Sequence, residues 1–557
     1  MEILNNSVQQ YAWGKKGSDS KVAKLKGLGD SSYTVKVDET YAEMWMGTHP
    51  SGPSYVVRDE KNGPLLKDLI DSNPDVLGAI KSKGDLPFLF KVISINKALS
   101  IQAHPDKRLA EKLHAERPTI YKDDNHKPEM AVALSDFEGL CGFRRFPELL
   151  WNLHSYPELR GMVSLSAIKA MCSAGDDIER QRVALKKLFG SFVRCPPAVV
   201  KTQVKALLER INNPQEKVEV RGMSPPPSPP PLAFGDSMLR PTMGSSTCFP
   251  YRPACLALCL KPFRHPYKGI LLGTPRRPPI LPPPKPSHLL VLVPLTKRQP
   301  TRSPITFFSW QPAPAGSALE QRRMAEIFGP NFRGGVRAAT SLAARMAKED
   351  ADVQRVMIRL STEYPGDLGI LMPLVLNLVM LSPGQSFFMT VDEPHAYLRG
   401  DILEVMACSN NVVRAALTPK FRDTNLLVEM LTYNMGAPAV LQAVTVDGKR
   451  KRYTPPITDF ELEDVRVPVG ERYHLDAMPV PGVMVALGGC KSGKVVEDNS
   501  GKEICCSEGG VFFLPSDTGV TLVAGTAVSM HVAIAHTNLH WGPLSAPTSG
   551  SRVPPFH

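Results

Sequence analysis

Two histidines, a glutamate and a glutamine have the types and spacing that suit a metal site. Gln102 and His104 are two residues apart, so on a β-strand both side chains would project from the same face. Glu129 follows a proline further along, and His395 lies far beyond all three. Two imidazoles, one carboxylate and one neutral oxygen make a plausible zinc site with room for water or a substrate. Taken singly, however, a histidine before a proline is more often a turn residue than a ligand.

The elements that must position these residues are mostly β-strands, on either side of a helical region. Residues 1–146 alternate short apolar runs, such as 86–95, with turn residues, which is typical of an all-β layer. Helical periodicity dominates from 147 to 222 and again from 319 to 364, and we predict two arms of one helical domain. Strand signals return after 370 and continue to about 535.

The helical prediction depends on two apolar stripes and one stop signal. The stripes comprise Val200, Val204, Leu207, Leu208 and Ile211 in the first arm, and Val353, Val356, Met357 and Leu360 in the second. The run Tyr-Pro-Gly-Asp at 364–367 predicts the end of the second helical arm.

The net charge of +12 is a local property of one proline-rich segment. Residues 223–316 contain about 11 Lys and Arg against one acid, Asp236, and about 23 of the chain's prolines, a density that excludes helices and interior strands. We predict a disordered or polyproline-like insert. Because the rest of the chain carries only about +2, we expect no nucleic-acid partner. Binding of the insert to other proteins remains an alternative.

Composition also favours a soluble chain. No stretch approaches the roughly 18 to 20 uninterrupted apolar residues of a membrane span, and the first 25 residues lack the pattern of a secretory leader. The 10 cysteines are scattered, unlike those of a small disulfide scaffold. We therefore expect a cytoplasmic protein with reduced thiols and no membrane partner.

Many separate stretches of the sequence together resemble one known family. They are QQYAWG (9–14), YAEMWMGTHP (41–50), LPFLFKV (86–92), LSIQAHP (99–105), DNHKPEM (124–130), GLCGFR (139–144), YPGD (364–367), PHAYLRG (394–400) and VRAALTPKF (413–421). The family is the type I mannose-6-phosphate isomerases, or phosphomannose isomerases, of the cupin superfamily. The resemblance covers about 1–220 and 319–445, fades through the C-terminal β region, and is absent from the insert and the final tail.

The resemblance implies a mainly β fold with an inserted α-helical domain. The implied parts are a cupin-type β-barrel (jelly-roll) catalytic domain at 1–146 and 370–445, a helical domain at 147–369 containing the insert at about 223–316, a second C-terminal β-domain at 446–540, and a tail at 541–557. We expect the protein to act as a monomer.

The activity implied by the resemblance is that of a zinc-dependent aldose–ketose isomerase. It would interconvert D-mannose 6-phosphate and D-fructose 6-phosphate by proton transfer through an enediol(ate), and so feed GDP-mannose synthesis. The family's ligands for one zinc ion per chain carry over to Gln102, His104, Glu129 and His395. Arg414 carries over as a catalytic residue beside the sugar phosphate.

The remaining catalytic roles stay open at this stage. Glu404, Lys127 and His126 are candidates for the proton carrier. The alternative roles are structural: Glu404 would pair with Arg414, and Lys127 would offset the charge of Glu129. Ser100, Lys420 and Arg414 are candidates for binding the phosphate, with Lys91 a weaker one. His126 is also a candidate for contact with the substrate.

A few matched residues are expected to be architectural. Trp13, Trp45 and Phe90 are expected to fill the core or shape the pocket wall. His49, which precedes a proline, is more often structural than a contact to substrate.

Two positions depart from the family pattern. Asn410 stands where we expect an aspartate, so a carboxylate able to orient its neighbours is lost. Ala416 stands where we expect a glycine and would be strained if that position requires a positive φ.

Two other functions fit parts of the pattern. A cupin metalloenzyme of another class, such as a dioxygenase, would normally need a redox-active metal. A non-catalytic sugar-phosphate binder is suggested by Asn410 and by the insert.

Overall fold

The structure is a computed structural model that describes residues 1–212, 335–438, 440–489 and 492–541. The predicted proline-rich insert and nearly all of the predicted tail lie outside these residues. Within them, no helix is both long enough and apolar enough to cross a membrane.

Short antiparallel strands form most of the described chain. They are β1 (Glu2–Asn5), β2 (Ser7–Gln9), β3 (Lys15–Lys16), β4 (Thr40–Tyr41), β5 (Glu43–Met46), β6 (Tyr55–Arg58), β7 (Lys61–Leu65), β8 (Phe88–Ile95), β9 (Ile101–Ala103), β10 (Glu129–Ala133), β11 (Phe137–Phe143), β12 (Leu376–Leu381), β13 (Ser386–Met389), β14 (His395–Ala407), β15 (Val413–Ala416), β16 (Val440–Leu441), β17 (Val444–Thr445), β18 (Arg450–Tyr453), β19 (Glu461–Val467), β20 (Arg472–Leu475), β21 (Gly482–Gly488), β22 (Lys494–Glu497), β23 (Glu503–Cys505), β24 (Val511–Leu514), β25 (Val520–Val523) and β26 (Met530–His536).

Helices are concentrated in the middle of the chain. They are α1 (Lys21–Gly29), α2 (Leu66–Ser72), α3 (Lys107–Glu116), α4 (Phe146–Ser155), α5 (Pro157–Gly161), α6 (Leu165–Ser173), α7 (Ile178–Val193), α8 (Pro197–Asn212), α9 (Gly335–Glu363) and α10 (Thr424–Met430), with 3₁₀ turns at Gly17–Asp19, Pro74–Lys83 and Leu368–Leu374. The predicted stop at 364–367 is confirmed, because α9 ends at Glu363.

Two large sheets carry most of the strands. One has 11 strands, in the order β16-β13-β10-β14-β8-β5-β2, with β11 and β9 also paired to β14, β12 to β11, and β15 to β9. The other has nine strands, in the order β17-β18-β19-β26-β21-β24-β1-β6-β7. A four-stranded sheet, β20-β25-β22-β23, and the pair β3-β4 complete the described strands.

The two large sheets pack face to face through an apolar layer. Phe88, Phe90 and Val92 of β8 share one buried cluster with Val483 and Phe513 of the nine-stranded sheet. Because side chains alternate along a strand, the residues between them on β8 must face the opposite side. That opposite side is where the polar residues of the first sheet collect.

The helices form a second core that includes both predicted stripes. Val200, Val204 and Leu207 are buried, as are the four residues of the second stripe. Leu208 and Ile211 are only partly buried against the same cluster, since they lie at the edge of the helical face. The apolar stripes therefore predicted this packing correctly.

Strand β14 is long, with 13 residues, and its pairing with β11 shifts register between Tyr397 and Arg399. Its first half pairs with β9 and β11, and its second half with β8 and β10. Gly400 lies between the halves with φ 120°, and a Cβ there would lie 2.7 Å from Asp136 O and 2.9 Å from Phe137 Cα. Glycine at this point allows one strand to serve two sets of partners.

The predicted fold class is confirmed at the level of a mainly β protein with several helices. Among the described residues, the strand pairings do not close into a barrel.

Candidate metal and substrate site

A cavity of about 350 Å³ opens on the polar face of the 11-stranded sheet. The floor of the cavity is formed by side chains that alternate with buried ones along the strands. Lys91 and Glu404 line the cavity, whereas their neighbours Phe90 and Val405 are buried in the apolar layer. Lys91 and Glu404 are also directly paired across β8 and β14. The same alternation that builds the core therefore delivers charged side chains to the cavity.

His104, Glu129 and His395 converge beside this cavity. His104 Nε2 lies 3.2 Å from Glu129 Oε1, and His395 Nε2 lies 3.3 Å from Glu129 Oε2. All three residues are buried, and their ligand atoms lie within 4.8 Å of one another. Ligand atoms around a tetrahedral zinc ion at about 2.0–2.1 Å lie about 3.3 Å apart, so the spacing fits a divalent cation.

The two imidazole rings are oriented by backbone carbonyls. His104 Nδ1 donates to Asn411 O at 2.6 Å, and His395 Nδ1 donates to Glu393 O at 3.1 Å. Each ring thus turns its Nε2 lone pair toward Glu129, and both Nε2 atoms are buried without a hydrogen-bond partner. A buried, unpartnered nitrogen lone pair is costly unless it has an electrophile to bind, which also fits a metal ion.

The protonation states suit the same ligand set. Burial, with a further effect from the nearby Lys127, lowers the pKa of His104 to about 4. Burial alone would raise the pKa of Glu129, but Lys127 and His104 outweigh it and hold that pKa well below its usual value. At neutral pH His104 is therefore a neutral ligand and Glu129 a carboxylate.

Gln102 lies next to the three residues, on β9. It pairs with His395 of β14 on one side and with Arg414 of β15 on the other. Its side chain lines the cavity, and Ser100 Oγ donates to its Oε1 at 3.1 Å. β9 ends at Ala103, so His104 lies directly after the strand and just before α3, whose N-cap Asp106 accepts from Leu109 N.

A buried network of charges forms the cavity floor. Lys91 Nζ lies 2.8 Å from Glu404 Oε2 and 3.4 Å from Glu43 Oε2. Tyr397 OH donates to Glu404 Oε1 at 2.7 Å. Burial raises the pKa of Glu404, although Lys91 opposes the shift. Burial would lower the pKa of Lys91, but Glu404 and Glu43 raise it above its usual value.

This network corrects one interpretation made from the sequence. Glu404 pairs with Lys91 and Tyr397, and the structure shows no pairing with Arg414. The physical reason is register, because Lys91 is the direct cross-strand neighbour of Glu404, whereas Arg414 lies on β15 beside Gln102. Lys127 does lie beside Glu129, with its Nζ 3.2 Å from Oε1.

The other predicted substrate residues divide into two groups. Arg414, Ser100 and Lys420 line the cavity together with Lys127. His126 does not line it and instead lies 3.3 Å from Asp459 Oδ1 through its Nε2. A contact between His126 and the substrate therefore stays a prediction.

The expected architectural residues lie in two different places. Phe90 is fully buried in the apolar layer, whereas Trp13 and Trp45 line the cavity. His49 also lines it, packed edge-on against Trp45 with ring centroids 4.9 Å apart. Burial, assisted by Lys91, lowers the pKa of His49 to about 4, so its imidazole is neutral at physiological pH.

The structure shows the surroundings of the two positions that depart from the family pattern, Ala416 and Asn410. Ala416 is not in a positive-φ conformation, so the condition for strain at this alanine is not met. The positive φ of 54° belongs to the next residue, Leu417. Asn410 lines the cavity, and its backbone N–H donates to Asp123 Oδ2 at 2.7 Å.

Sequence reasoning missed Tyr397 and Glu43 as members of the polar network. The signal was available for both, since Tyr397 is two residues beyond His395 on one strand, and Glu43 is two before Trp45 on another. The period of two predicts that each pair shares a face.

Comparisons with known proteins bear on what such a site does. The profile of the phosphomannose isomerase type I catalytic domain matches residues 1–146. Mannose-6-phosphate isomerase 1 of Arabidopsis thaliana is 30% identical over 535 residues, covering 95% of this chain and 93% of the relative. The human mannose-6-phosphate isomerase is 30% identical over 531 residues, covering 93% of this chain and 94% of the relative.

The chain belongs to the mannose-6-phosphate isomerase family. It is thus a member of an enzyme family. Crystal structures of family members share the fold. The apo form of the isomerase from Salmonella typhimurium has a TM-score of 0.60 at 22% identity, covering 97% of this chain and 99% of that one. A zinc-bound mannose 6-phosphate isomerase has the same TM-score, identity and coverage.

Proposed function

We propose that this chain interconverts D-mannose 6-phosphate and D-fructose 6-phosphate, with one zinc ion held by Gln102, His104, Glu129 and His395. The observation that carries the proposal is the convergence of two buried, unpartnered imidazole nitrogens on one carboxylate, beside a polar cavity of about 350 Å³. When bound, zinc supplies electrostatic stabilisation of the negative charge that develops on the substrate oxygens.

The chain's own residues provide charge for a sugar phosphate. Arg414 and Lys420 line the cavity, with Ser100 as a neutral hydroxyl donor. Arg414 is permanently charged and offers donors in a planar fork, which suits either the phosphate or an enediolate. Partial burial lowers its pKa from the usual value, and the lower local dielectric strengthens its attraction for an anion.

Isomerisation requires a group that moves a proton between adjacent carbons of the open-chain sugar. One proton leaves C2 and one is delivered to C1, while the hydroxyl proton lost at O2 is balanced by one gained at O1. Glu404 and Lys127 both line the cavity and can exchange protons. Tyr397 and Lys91 hold the Glu404 carboxylate in place. We propose that the proton carrier is one of these two residues.

The finer architecture and the cellular setting belong to the same proposal. We take the strands at 1–146 and 370–445 as a cupin-type jelly-roll catalytic domain, the region at 147–369 as a helical domain, and 446–540 as a second β-domain. A monomer in the cytoplasm that feeds GDP-mannose synthesis agrees with the family resemblance.

The test is an assay of the purified protein, loaded with zinc, with mannose 6-phosphate as substrate and coupled detection of fructose 6-phosphate. We expect turnover with zinc, loss of turnover in EDTA, and recovery when zinc is restored. His104→Ala and Glu129→Ala are expected to lose bound zinc and activity together. Sugar-phosphate binding without turnover by the zinc-loaded protein would contradict the proposal and indicate a binding protein.

A further inference from the structure

We infer that Asp123 is a positioning residue for the metal ligand His104, which it holds through a neighbouring loop. The inference rests on the zinc site proposed above. Asp123 lies outside the cavity lining, and no role in binding or catalysis was predicted for it. Asp123 belongs to a group of five residues from two segments, 123–125 and 409–411, that are joined by hydrogen bonds beside the site. We call this group, Asp123, Asn125, Ser409, Asn410 and Asn411, the loop clasp.

The Asp123 carboxylate is surrounded by hydrogen-bond donors. Its Oδ1 accepts from Ser409 Oγ at 2.7 Å, from Asn411 Nδ2 at 3.2 Å and from Asn125 N at 3.1 Å. Its Oδ2 accepts from Asn410 N at 2.7 Å. Four donors facing one side chain match a carboxylate, which only accepts, and do not match an amide, which must also donate.

Asn125 reinforces the same link between the two loops. Its carbonyl oxygen accepts from Ser409 Oγ and from Asn411 Nδ2, both at 3.0 Å. Its own Nδ2 donates to Cys408 O at 2.9 Å. Asn411 and Ser409 are buried, so these hydrogen bonds are shielded from water and contribute more than exposed ones.

Both segments of the loop clasp connect to the proposed metal site. Asn411 O is the acceptor for His104 Nδ1 at 2.6 Å, so the position of this carbonyl sets the direction of His104 Nε2. On the other side, the segment that begins at Asp123 leads directly to Lys127 and Glu129. Asp123 thus holds the loop at 409–411, which orients His104, against the segment at 123–129, which carries Glu129.

The clasp also includes the position that departs from the family pattern. The carboxylate expected at position 410 is absent, but the backbone N–H of Asn410 donates to the carboxylate of Asp123. This contact does not use the side chain at 410.

The decisive variant is Asp123→Asn, which keeps the size of the side chain but places an amide N–H against a donor. Changing a group that supports a ligand typically costs 10–100-fold in metal affinity, and we expect the Kd for Zn²⁺ to rise about tenfold or more. The matched control is Asp124→Asn. It makes the same chemical change one residue away, at a side chain that is 62% exposed and forms an ion pair with Lys107.

Zinc affinity is measured by competition with a chromophoric chelator, and ligand geometry by the visible d–d spectrum of the Co²⁺-substituted protein at equal occupancy. We expect Asp123→Asn to weaken Zn²⁺ binding and to change the Co²⁺ spectrum, and Asp124→Asn to match the wild type in both. Equal affinity and an unchanged spectrum in Asp123→Asn would overturn the inference, even if its melting temperature falls.

Two further results separate the possible failures. If Asp123→Asn does not fold, Ser409→Ala removes a single donor of the clasp and is expected to raise the Kd for Zn²⁺ to a smaller extent; no change would overturn the inference. If the wild-type protein itself fails to bind Zn²⁺, the proposed zinc site is wrong, and the inference fails with it.

Discussion

At the scale of single residues, the proposed metal ligands and the proposed substrate residues lie in different surroundings. His104 and His395 donate from Nδ1 to backbone carbonyls and turn Nε2 toward Glu129, whereas Arg414 lines the cavity. The two classes should therefore respond differently to substitution.

Arg414→Lys is expected to retain zinc and to lower kcat/KM by about 10²-fold or more, since lysine cannot reproduce the planar fork of donors. Zinc content is measured by atomic emission and turnover by the coupled assay. Arg399→Lys, at an exposed arginine outside the cavity lining, serves as the control and should behave as the wild type. A fall in zinc content equal to the fall in activity would show that Arg414 supports the metal instead.

Lys91→Met is expected to destabilise the fold by about 3–5 kcal/mol, because it leaves two buried carboxylates, Glu43 and Glu404, without their cation. Urea unfolding measures the change. The double variant Lys91→Met/Glu404→Gln should recover part of the loss, since it removes one of the two charges. Lys81→Met, at an exposed pair with Asp75, should stay within about 0.5 kcal/mol of the wild type.

The ligand residues could be predicted because each lies in a short motif that resembles the family. The contacts of the residues around these ligands were harder to predict. That Glu404 pairs with Lys91 and not with Arg414 depends on register between strands over 300 residues apart, and no local pattern encodes it. The positive φ at Leu417 was not predicted either, because the motif around Ala416 does not specify backbone conformation residue by residue.

At the scale of elements, β14 decides the geometry of the site. It carries His395 and Tyr397 on one half and Glu404 on the other, and Gly400 lets the strand change partners between them. The apolar run that contains β8 was predicted from the sequence, as were the helical stripes. The register shift in β14 was not predicted, because it requires knowing which residues of β11 pair with β14.

Gly400→Ala is expected to cost about 2 kcal/mol or more, because a Cβ would meet the backbone of Asp136 and Phe137 and the φ of 120° is unfavourable for alanine. Thermal and urea unfolding measure the loss. Gly448→Ala, where no heavy atom lies within 4 Å of the added Cβ, should change stability by less than about 0.5 kcal/mol. Equal effects of the two substitutions would contradict the role assigned to Gly400.

A contact between β26 and β19 should affect how the stability of the fold depends on pH. His536 of β26 is buried between Glu461 and Glu463 of β19, at 3.7 and 3.8 Å. Burial alone would lower the pKa of His536, but the two glutamates raise it above its usual value. Its protonated form therefore stabilises the fold fully below the unfolded pKa of about 6.5, and that contribution is lost as pH rises through the higher folded pKa.

The difference in unfolding free energy between the wild type and His536→Gln should thus be largest below about pH 6.5 and shrink at higher pH. Urea unfolding in EDTA at several pH values measures it without a contribution from zinc. His474→Gln, at an exposed histidine, should show little pH-dependent difference. A difference that grows with pH would contradict the assigned protonation.

At the scale of the whole molecule, the proposed zinc ligands come from both sides of the proline-rich segment. Gln102, His104 and Glu129 precede it and His395 follows it, and all four lie in the described residues. The bounds of the proline-rich segment were predicted from composition alone, because residues 223–316 hold a large share of the chain's prolines and most of its net positive charge. How the two sides meet could be predicted only through the family resemblance.

Removal of residues 223–316 is expected to leave zinc binding and isomerase activity intact, since closure of a long surface connection depends only weakly on its length. The shortened protein is compared with the full chain for bound zinc and for turnover. The same deletion carrying His104→Ala should be inactive, which excludes a contaminating isomerase. Loss of folded protein on deletion alone would show that the segment is structural.

The shift of register in β14 also limits how this sequence can vary. His395 and Glu404 are nine residues apart, so on a regular strand they would face opposite sides. Both face the site because the pairing of β14 with β11 shifts register between Tyr397 and Arg399. A single-residue insertion or deletion between Gly400 and Glu404 would exchange inward and outward positions on the second half of the strand. Glu404 would then enter the apolar layer, and Leu403 or Val405 would take its place in the cavity.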